Sequence, residues 1–507
     1  MVNLWRCPRP RVVDQLDLAS APRCSNAIMR SNEAGLPRTS RLAWMLLGVA
    51  ACSTPAREGG EVSASPAPAR LEVALRDSMT GLALVGRVTA IELGGRVASS
   101  LTADPSGRAP GPLPPGQYRV KAEAIHHRTL ETAFDLEAGA TLGVTLWLDP
   151  EEVPEALRPE PLATLGPETA VFHGYVVDGQ SGQPLSDASV SLERSDQRTK
   201  TDRGYFRLSV AAPRPPDLEP PPMDLLTVQR DGYRTFRSGQ VFVTGGVTRF
   251  LIRLWPGLGR SEEAEGHKML REARTLSLAQ SAVPDAPEPR LIALAASPPS
   301  SGVPVPASIR VGFDCQCASC RTVQVFSLET YVKQGLDDEW IASWHDQSLR
   351  AGAIAYRSYA VYRVFHPLRA NYDICSTTCC QVQDPTTSHA RTDAAVEATA
   401  GTIVVNGQRD QPFVAEYGAE NNGRYCPDGS TGRPELGWPC LGDAVDATHA
   451  FNGHGRGMCQ WGTQRWAVGQ HKNYCWIVDH YFNDNGKPSG ARAGVIQVPG
   501  GRPCSPR

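Results

Sequence analysis

From Leu71 onward, apolar and polar residues alternate in short runs that are separated by turn residues. Such runs occupy residues 71–75, 85–91 and 117–122. Alternation places successive side chains on opposite faces, which predicts half-buried β-strands. The intervening segment 103–107 carries Pro and Gly, which preset or permit turn dihedrals. We therefore predict a small antiparallel β-sandwich over residues 70–150.

The same pattern of short alternating runs and turn residues repeats over residues 168–255. The runs lie at 174–178, 188–192 and 201–206. Its G-x-V, G-x-P-L-x-x-A-x-V and T-D-x-G-x-F segments, with a later Asp-Gly-Tyr at 231–233, resemble the carboxypeptidase regulatory-like domain. The resemblance implies a transthyretin-like seven-stranded sandwich with an accessory or spacer role. Neither sandwich shows a plausible nucleophile, carboxylate pair or metal cluster, and a carbohydrate-binding role stays open.

Residues 256–306 lose the alternation and become rich in Pro, which predicts a semi-rigid linker. Beyond it, residues 309–313 and 323–326 read as strands. A helix is predicted to start at Ser343, where Asp346 would complete a capping box, and to run through Val364. The predicted fold class is two all-β sandwich domains followed by an α+β domain at 307–507.

The N-terminal region carries a secretion pattern. Arg38 and Arg41 precede an apolar run at 42–51 that is too short to span a bilayer and is typical of a signal peptide. The run ends in Val-Ala-Ala-Cys, which resembles a bacterial lipobox with Cys52 as the acylated residue. We expect residues 1–52 to form the signal with its lipobox and residues 53–69 a tether. An ordinary cleaved signal peptide is the alternative.

Charge and cysteine usage narrow the partners and the compartment. A net charge of -2 lacks the basic excess of a nucleic-acid binder, so no nucleic-acid partner is expected. Eleven of the fourteen cysteines lie between Cys315 and Cys504, which fits an oxidising compartment. Together with the lipobox, this predicts a periplasm-facing lipoprotein of the cell envelope, anchored in the outer membrane.

Four ordered motifs lie in the last domain. The first is L-E-x-Y-V-K at 328–333, followed after five residues by Glu339 and then by a helix reading L-x-A-x-A-x-A-x-R-S-Y-A from Leu349. The others are Y-D-x-C-x-T-x-x-C-Q-V at 372–382, a helix-strand segment at 394–404 and G-H-G-x-G-M-x-Q-x-G at 453–462. In this order they resemble the SpoIID/LytB family.

The resemblance implies that Glu339 is the catalytic acid of a peptidoglycan lytic transglycosylase. Such an enzyme cleaves the β-1,4 bond between MurNAc and GlcNAc and forms a 1,6-anhydro product. A single carboxyl group with a raised pKa suffices, because the 6-hydroxyl of the sugar replaces water as nucleophile. Asp337 and Asp338 crowd Glu339 with like charge, which would raise its pKa or supply a second carboxylate for hydrolysis.

Other motif positions are predicted to contact the glycan. His454 is predicted as a second catalytic residue that orients the substrate or assists Glu339, and the alternative is a structural histidine that caps a tight loop. Trp340 and Trp344 supply an apolar wall or a stacking face, with core packing expected for at least one of them. The predicted substrate-binding residues are Trp340, Arg357, Tyr359, Gln381, Gly455, Gly457 and Gln460.

Some SpoIID/LytB members bind zinc near the third motif, which implies a structural zinc site here. The corresponding ligands would be His366, Cys375, Cys379 and Cys380. Disulfides are the alternative, because three further cysteines lie at 315–320 and the compartment is oxidising. Cys426 and Cys440 are expected to pair with each other.

Two other function classes stay open at this point. Relatives that carry this domain include amidase enhancers, so a cell-wall amidase is a candidate partner. The third class is a non-catalytic wall-binding lipoprotein. Replacement of Glu339 would silence the enzyme and leave the wall-binding protein untouched.

Overall fold

The computed structural model describes residues 67–158, 166, 168–212, 221–238, 241–260, 302–407, 411–420, 445, 452, 457–483, 494–501 and 504. The signal, Cys52 and most of the tether and the linker lie outside these residues. Residues 64–507 form one compact unit. Among the described residues, no helix has the length and apolar character needed to cross a bilayer.

Alternating burial builds the first sandwich. Tyr118, Val120 and Ala122 are buried on one face of their strand, as the sequence pattern predicts. One sheet has the order β3-β2-β5-β6, and β1 pairs with β4 and, in parallel, with β7 in the other. The strands are β1 Ala69–Asp77, β2 Gly86–Glu92, β3 Val97–Thr102, β4 Arg108–Leu113, β5 Gly116–Ala124, β6 Leu130–Leu136 and β7 Thr141–Leu148.

The second sandwich repeats this arrangement, again with its first and last strands paired in parallel. Its sheets have the orders β10-β9-β13-β14 and β11-β8-β16, with a short β12-β15 ribbon beside them. The strands are β8 Thr169–Asp178, β9 Ser189–Leu192, β10 Gln197–Lys200, β11 Tyr205–Ala211, β12 Met223–Asp224, β13 Leu226–Gln229, β14 Phe236–Arg237, β15 Val241–Phe242 and β16 Gly246–Leu254.

An aspartate ends the first strand of each sandwich in the same way. Asp77 Oδ1 accepts backbone hydrogen bonds from the next turn, and its Oδ2 contacts His127 at 2.8 Å. Asp178 makes the equivalent turn, and its Oδ2 accepts from Tyr233 at 2.8 Å. The Asp-Gly-Tyr segment at 231–233 thus holds this turn in place, and His127 does so in the first sandwich.

The C-terminal region mixes helices with short strands, which confirms the predicted fold class of β-sandwiches followed by an α+β region. The helices are α1 Leu328–Glu339, α2 Asp346–Phe365, α3 Ala390–Ala398, α4 Gln460–Gly469 and α5 Tyr474–Asn483. The strands are β17 Ser308–Phe313, β18 Thr322–Ser327, β19 Ile374–Cys375, β20 Thr387–His389, β21 Ile403–Asn406, β22 Gln411–Pro412, β23 Tyr417–Gly418, β24 Met458–Cys459 and β25 Gly494–Gln497.

Two sheets cross from the sandwiches into the C-terminal region. Strand β18 pairs in parallel with β7, so one sheet runs β19-β17-β18-β7-β1-β4. Strand β20 pairs with β16 of the second sandwich. Trp147 of β7 is buried and donates from Nε1 to Gln324 Oε1 at 2.8 Å. Both sandwiches are therefore hydrogen-bonded to the C-terminal region through their backbones. A domain that served only as a spacer would not need this pairing.

The helix starts differ from the sequence prediction. Helix α1 was not predicted, and Ser327 caps it by accepting from Thr330 N. The second helix starts at Asp346 and not at Ser343, because His345 serves as the N-cap by accepting from Gln347 N. Residues 341–345 form a turn between the two helices. Glu339 consequently ends one helix, rather than only preceding another.

Candidate active site

Glu339 is the last residue of α1, and its side chain is 3% exposed. The two preceding residues, Asp337 and Asp338, are also buried. The C-terminal end of a helix carries partial negative charge and disfavours carboxylates. Packing three consecutive acids there is costly in free energy, and such costly placements are typical of functional sites.

Hydrogen-bond donors converge on the Glu339 carboxyl group. Val382 N donates to Oε1 at 2.9 Å, and Gln460 Nε2 donates to Oε2 at 3.2 Å and to the Glu339 carbonyl at 2.6 Å. Burial raises the pKa of Glu339 to about 7, although these donors pull it down. The group therefore exchanges a proton near neutral pH. Gln460 belongs to the predicted glycine-rich motif, so that motif does meet Glu339.

A tyrosine-glutamine network lies behind the carboxyl group. Tyr417 hydrogen-bonds to Glu339, and its hydroxyl accepts from Gln381 Nε2 at 3.1 Å. Gln381 Oε1 accepts from Tyr331 at 3.1 Å. Tyr356 donates to the Val382 carbonyl at 2.9 Å. Burial raises the pKa of all three tyrosines, so they stay protonated as donors. The network orients Glu339 and Val382 together.

Both tryptophans near Glu339 belong to the core. Trp340 has no exposed surface, lies 4.9 Å from the Tyr417 ring and donates from Nε1 to Thr463 at 3.3 Å. Trp344 is 1% exposed and packs on Trp461 at 4.8 Å. Trp340 forms an apolar wall next to Glu339, which was one of the two predicted roles; the other was a stacking face for sugars. It offers no exposed face for sugar stacking, and its predicted substrate contact is corrected to core packing.

The neighbouring acids are not the main influence on Glu339. Asp338 Oδ2 accepts from Asp384 N at 2.6 Å, and Asp337 faces Asp384 and Asp393. Burial raises the pKa of Asp337, Asp338 and Asp384. Burial is likewise the largest cause of the raised pKa of Glu339, and neither Asp337 nor Asp338 is among its causes, so their like charge does not contribute to this value.

Arg357 lies away from the carboxyl group. It has no exposed surface and makes a two-point ion pair with Glu329, at 2.9 and 2.7 Å. It also donates to the carbonyls of Val396 and Thr402. The predicted contact of Arg357 with the glycan is therefore corrected to a structural role, because the donors of its guanidinium group are bonded to protein acceptors.

The other residues predicted to contact the glycan or to assist Glu339 are Tyr359, Gly457, His454 and Gly455. Tyr359 is 5% exposed and accepts from Arg363 Nη2 at 2.8 Å. Gly457 has a φ of +70°, and an added Cβ would stand 1.9 Å from the Glu416 carbonyl. Close backbone packing thus requires glycine there, rather than approach to a sugar. His454 and Gly455 lie outside the described residues.

The predicted zinc ligands are otherwise engaged. Cys375 pairs with Cys380, and Cys379 pairs with Cys317. His366 Nδ1 contacts the Tyr362 carbonyl at 3.1 Å. A sulfur in a disulfide has no thiolate to offer a metal, so the residues do not fit zinc and the zinc site is corrected to disulfides. No cluster of three or more metal-binding side chains occurs in the described ranges.

Further disulfides join Cys315 to Cys320 and Cys475 to Cys504. Cys459 is buried, and its sulfur accepts a hydrogen bond from Gly462 N at 3.1 Å. The predicted pair of Cys426 and Cys440 lies outside the described residues.

A comparison with known protein families finds a match in the C-terminal region. Residues 317–405 match the SpoIID family, described as stage II sporulation protein. The match includes Glu339, Arg357 and Gln381 but covers well under half of the chain. SpoIID is a cell-wall-related family associated with hydrolytic or lytic activity on the wall. Residues 317–405 are therefore similar to the SpoIID domain, and a peptidoglycan-associated function is consistent with this similarity.

Solved structures with similar parts include the Bacillus anthracis TIE protein, with 13% identity and a TM-score of 0.16. The match covers 37% of this chain and 34% of that protein, so the chain spans about a third of its length. The shaft pilin spaA from Lactobacillus rhamnosus GG has 10% identity and a TM-score of 0.15, with 38% of this chain and 98% of that one covered. A sequence comparison with curated proteins finds no match.

Sequence reasoning missed several residues that hold Glu339. Tyr417 lies outside every motif, and Val382 contributes through its backbone, which no side-chain pattern reveals. Tyr331 and Tyr356 lie within the motifs, but no role was predicted for their hydroxyl groups, and Tyr356 was interpreted as an apolar position of the predicted helix. Their hydroxyls were a usable signal, since a buried tyrosine needs a hydrogen-bond partner.

Proposed function

We propose that this protein is a lytic transglycosylase of peptidoglycan glycan strands and that Glu339 is its single acid and base. The observation that carries the proposal is a carboxyl group 3% exposed, with a pKa of about 7, inside the matched SpoIID domain. A general acid works best when its pKa is close to the working pH. Glu339 meets that condition.

In the proposed reaction, Glu339 donates its proton to the glycosidic oxygen, which departs from C1 of MurNAc and stays on C4 of GlcNAc as a hydroxyl group. The resulting carboxylate then accepts the proton of the 6-hydroxyl of MurNAc as that oxygen attacks C1. The β-1,4 bond breaks, the 1,6-anhydro bond forms and Glu339 regains its proton, so no water is consumed. The donors from Val382 and Gln460 would stabilise the carboxylate between the two steps.

Gln460 is as buried as Arg357, but we keep its substrate contact as a proposal because one of its polar atoms lacks a partner in the described part of the chain. Its Nε2 holds Glu339, while its Oε1 is buried without a hydrogen-bond partner among the described residues. An unsatisfied buried carbonyl is costly, and a sugar hydroxyl would satisfy it. This keeps the proposed role of Gln460 in binding the glycan next to the acid.

The test compares products released from purified sacculi by the wild type, Glu339→Gln and Glu72→Gln. Glu72 is a half-exposed glutamate of β1, so its variant is a matched control. Mass spectrometry should find anhydro-muropeptides with the wild type and the control, and none above background with Glu339→Gln. Equal release by the Glu339 variant would remove Glu339 from the mechanism.

The same assay separates the enzyme from an amidase enhancer, which would release no anhydro ends alone but would increase cleavage by an added amidase. We also propose a location in the cell envelope, with Cys52 as the lipid anchor. Disulfides among the described residues support an oxidising compartment. Detection of an acylated Cys52 by mass spectrometry of the mature protein would test the anchor.

A further inference from the structure

A cavity of about 570 Å³ lies where both sandwiches meet the C-terminal helices, apart from the Glu339 carboxyl group. This volume is in the range of small-molecule sites. The first sandwich contributes Arg128 and Asp149, the second contributes His173 and Arg249, and α1 and α3 contribute Lys333 and Asp393. The cavity exists only because the strands of the sandwiches pair with the C-terminal region.

Several of its charged groups are already satisfied by protein. Asp149 accepts from the hydroxyls of Ser78, Ser327 and Thr330 at 2.6 to 2.7 Å. Lys333 pairs with Glu397 at 2.7 Å, and Glu329 pairs with Arg357. The two ion pairs leave little charge for a ligand, and the oxygens of Asp149 are occupied by the three hydroxyl groups.

Two guanidinium groups remain without an ion-pair partner within hydrogen-bonding reach among the described residues. Arg249 is half-buried on β16, and Arg128 is exposed at the rim. Guanidinium groups bind carboxylates through two parallel hydrogen bonds. His173 is buried beside them, and burial with the nearby Arg249 lowers its pKa to about 4, so it adds a neutral polar group and no charge.

An opposite charge faces the same space. Asp393 Oδ1 is buried with no hydrogen-bond partner in the described part of the chain, while Oδ2 accepts from Ser388 at 3.4 Å. Burial raises the pKa of Asp393, while the nearby positive charges of Arg249 and Lys333 act in the opposite direction. An ammonium group of a ligand would supply the hydrogen-bond donor that Oδ1 lacks among the described residues.

We propose that this cavity binds a short peptide that carries a free carboxylate and a free ammonium group. The carboxylate would lie between Arg249 and Arg128, and the ammonium group would lie on Asp393. The volume exceeds what a single amino acid fills. If the proposed function holds, the peptide stems of peptidoglycan are ligands of this kind. Only this identification of the ligand rests on the proposed function. Lys333 of the cavity and Glu339 lie on the same helix, roughly 9 Å apart along its axis.

The test is calorimetric titration of the full chain with D-alanyl-D-alanine. We expect binding by the wild type, and a loss of at least about tenfold in affinity for Arg249→Gln and for Asp393→Asn, because each removes a charge-assisted hydrogen bond. N-acetylation or C-terminal amidation of the dipeptide should weaken binding similarly. Arg87→Gln, an exposed arginine that does not line the cavity, is the matched control and should bind like the wild type.

Circular dichroism would confirm that each variant folds. If Arg249→Gln does not fold, Arg128→Gln at the exposed rim also removes a guanidinium group that would bind the carboxylate. No binding by the wild type at millimolar dipeptide would overturn the proposal, as would unchanged binding by the variants. Equal competition by acetate would show a general anion site and would also overturn it. Glu339→Gln should keep dipeptide binding, so failure here is distinct from failure of the proposed enzyme.

Discussion

The chemistry of Glu339 comes from a balance between burial and hydrogen bonding. Burial at the C-terminal end of α1 disfavours the carboxylate, while Val382, Gln460 and Tyr417 donate to it and favour it. The result is a pKa of about 7. Neither effect alone gives this value: burial would keep the group protonated, and the donors in water would keep it ionised.

This balance predicts a pH-dependent cost in stability. Between pH 4.5 and about 7, unfolded Glu339 ionises while folded Glu339 keeps its proton. Its contribution to folding is therefore fully present below pH 4.5, falls as the pH rises and is lost above about 7. Relative to Glu339→Gln, the wild type should lose about 3 kcal/mol of unfolding free energy across that window. Urea unfolding of both proteins at acid and at slightly alkaline pH measures the difference.

The control in this experiment is internal. Asp337 and Asp384 titrate in both proteins, and Glu339 is not among the causes of their raised pKa, so their contributions cancel in the comparison. Unfolding free energies that stay parallel at all pH values would contradict the raised pKa of Glu339.

Residue identities near the site were predictable from motifs, but their contacts were not. The motifs brought Glu339, Gln381 and Gln460 forward, and the structure joins them through hydrogen bonds. Arg357 stands in the same motif helix, yet it is a buried structural residue. A linear pattern cannot tell which side of α2 faces Glu339, because that depends on how α1 and α2 pack.

At the scale of elements, α1 and α2 approach each other closely at glycines. A Cβ at Gly335 of α1 would stand 1.9 Å from the Tyr356 hydroxyl, and a Cβ at Gly352 of α2 would stand 2.5 Å from the Trp340 ring. These glycines let the two helices pack with Trp340 and Tyr356 between them. The position of Glu339 at the end of α1 depends on that contact.

We predict that Gly335→Ala destabilises the protein by about 1–3 kcal/mol through overpacking. It should also weaken the proposed cleavage, since Tyr356 would move and take Val382 with it. Gly469→Ala at the end of α4 is the control, because nothing lies within 4 Å of the added methyl group. Thermal unfolding of both variants checks the prediction, and equal stability of the two would refute it.

The sequence indicated these elements unevenly. Regular alternation predicted strands such as β5 and β9 well, because one face is buried. Helix α1 was missed because it ends in buried acids, Asp337, Asp338 and Glu339, which look like a surface segment in a linear pattern. The N-cap at His345 was missed because serine is the commoner capping residue.

At the scale of the whole molecule, the sandwiches and the C-terminal region share two sheets. Strand β18 continues the sheet of β7, and β20 continues the sheet of β16. No local pattern could reveal this, since pairing between distant strands leaves no periodic trace in either segment. The predicted fold class was right, but the predicted linker gave no hint that the parts it connects are hydrogen-bonded to each other.

Shared sheets predict cooperative unfolding. Separation of a sandwich would expose the edge of β18 or β20 and leave Trp147 and Gln324 without their hydrogen bond. We expect calorimetry to show one main transition that coincides with loss of tryptophan fluorescence and of far-ultraviolet circular dichroism. Three well-separated transitions would mean that the parts are independent domains.

The central claim is that Glu339 acts as a proton donor near neutral pH, and the most direct test is the pH dependence of anhydro-muropeptide release from purified sacculi. Since the protonated form is active, the rate at limiting substrate should be constant below about pH 7 and fall about tenfold per pH unit above it. Glu339→Gln should release no anhydro product at any pH. Full release by that variant, or a rate that does not change as the pH passes 7, would contradict the account.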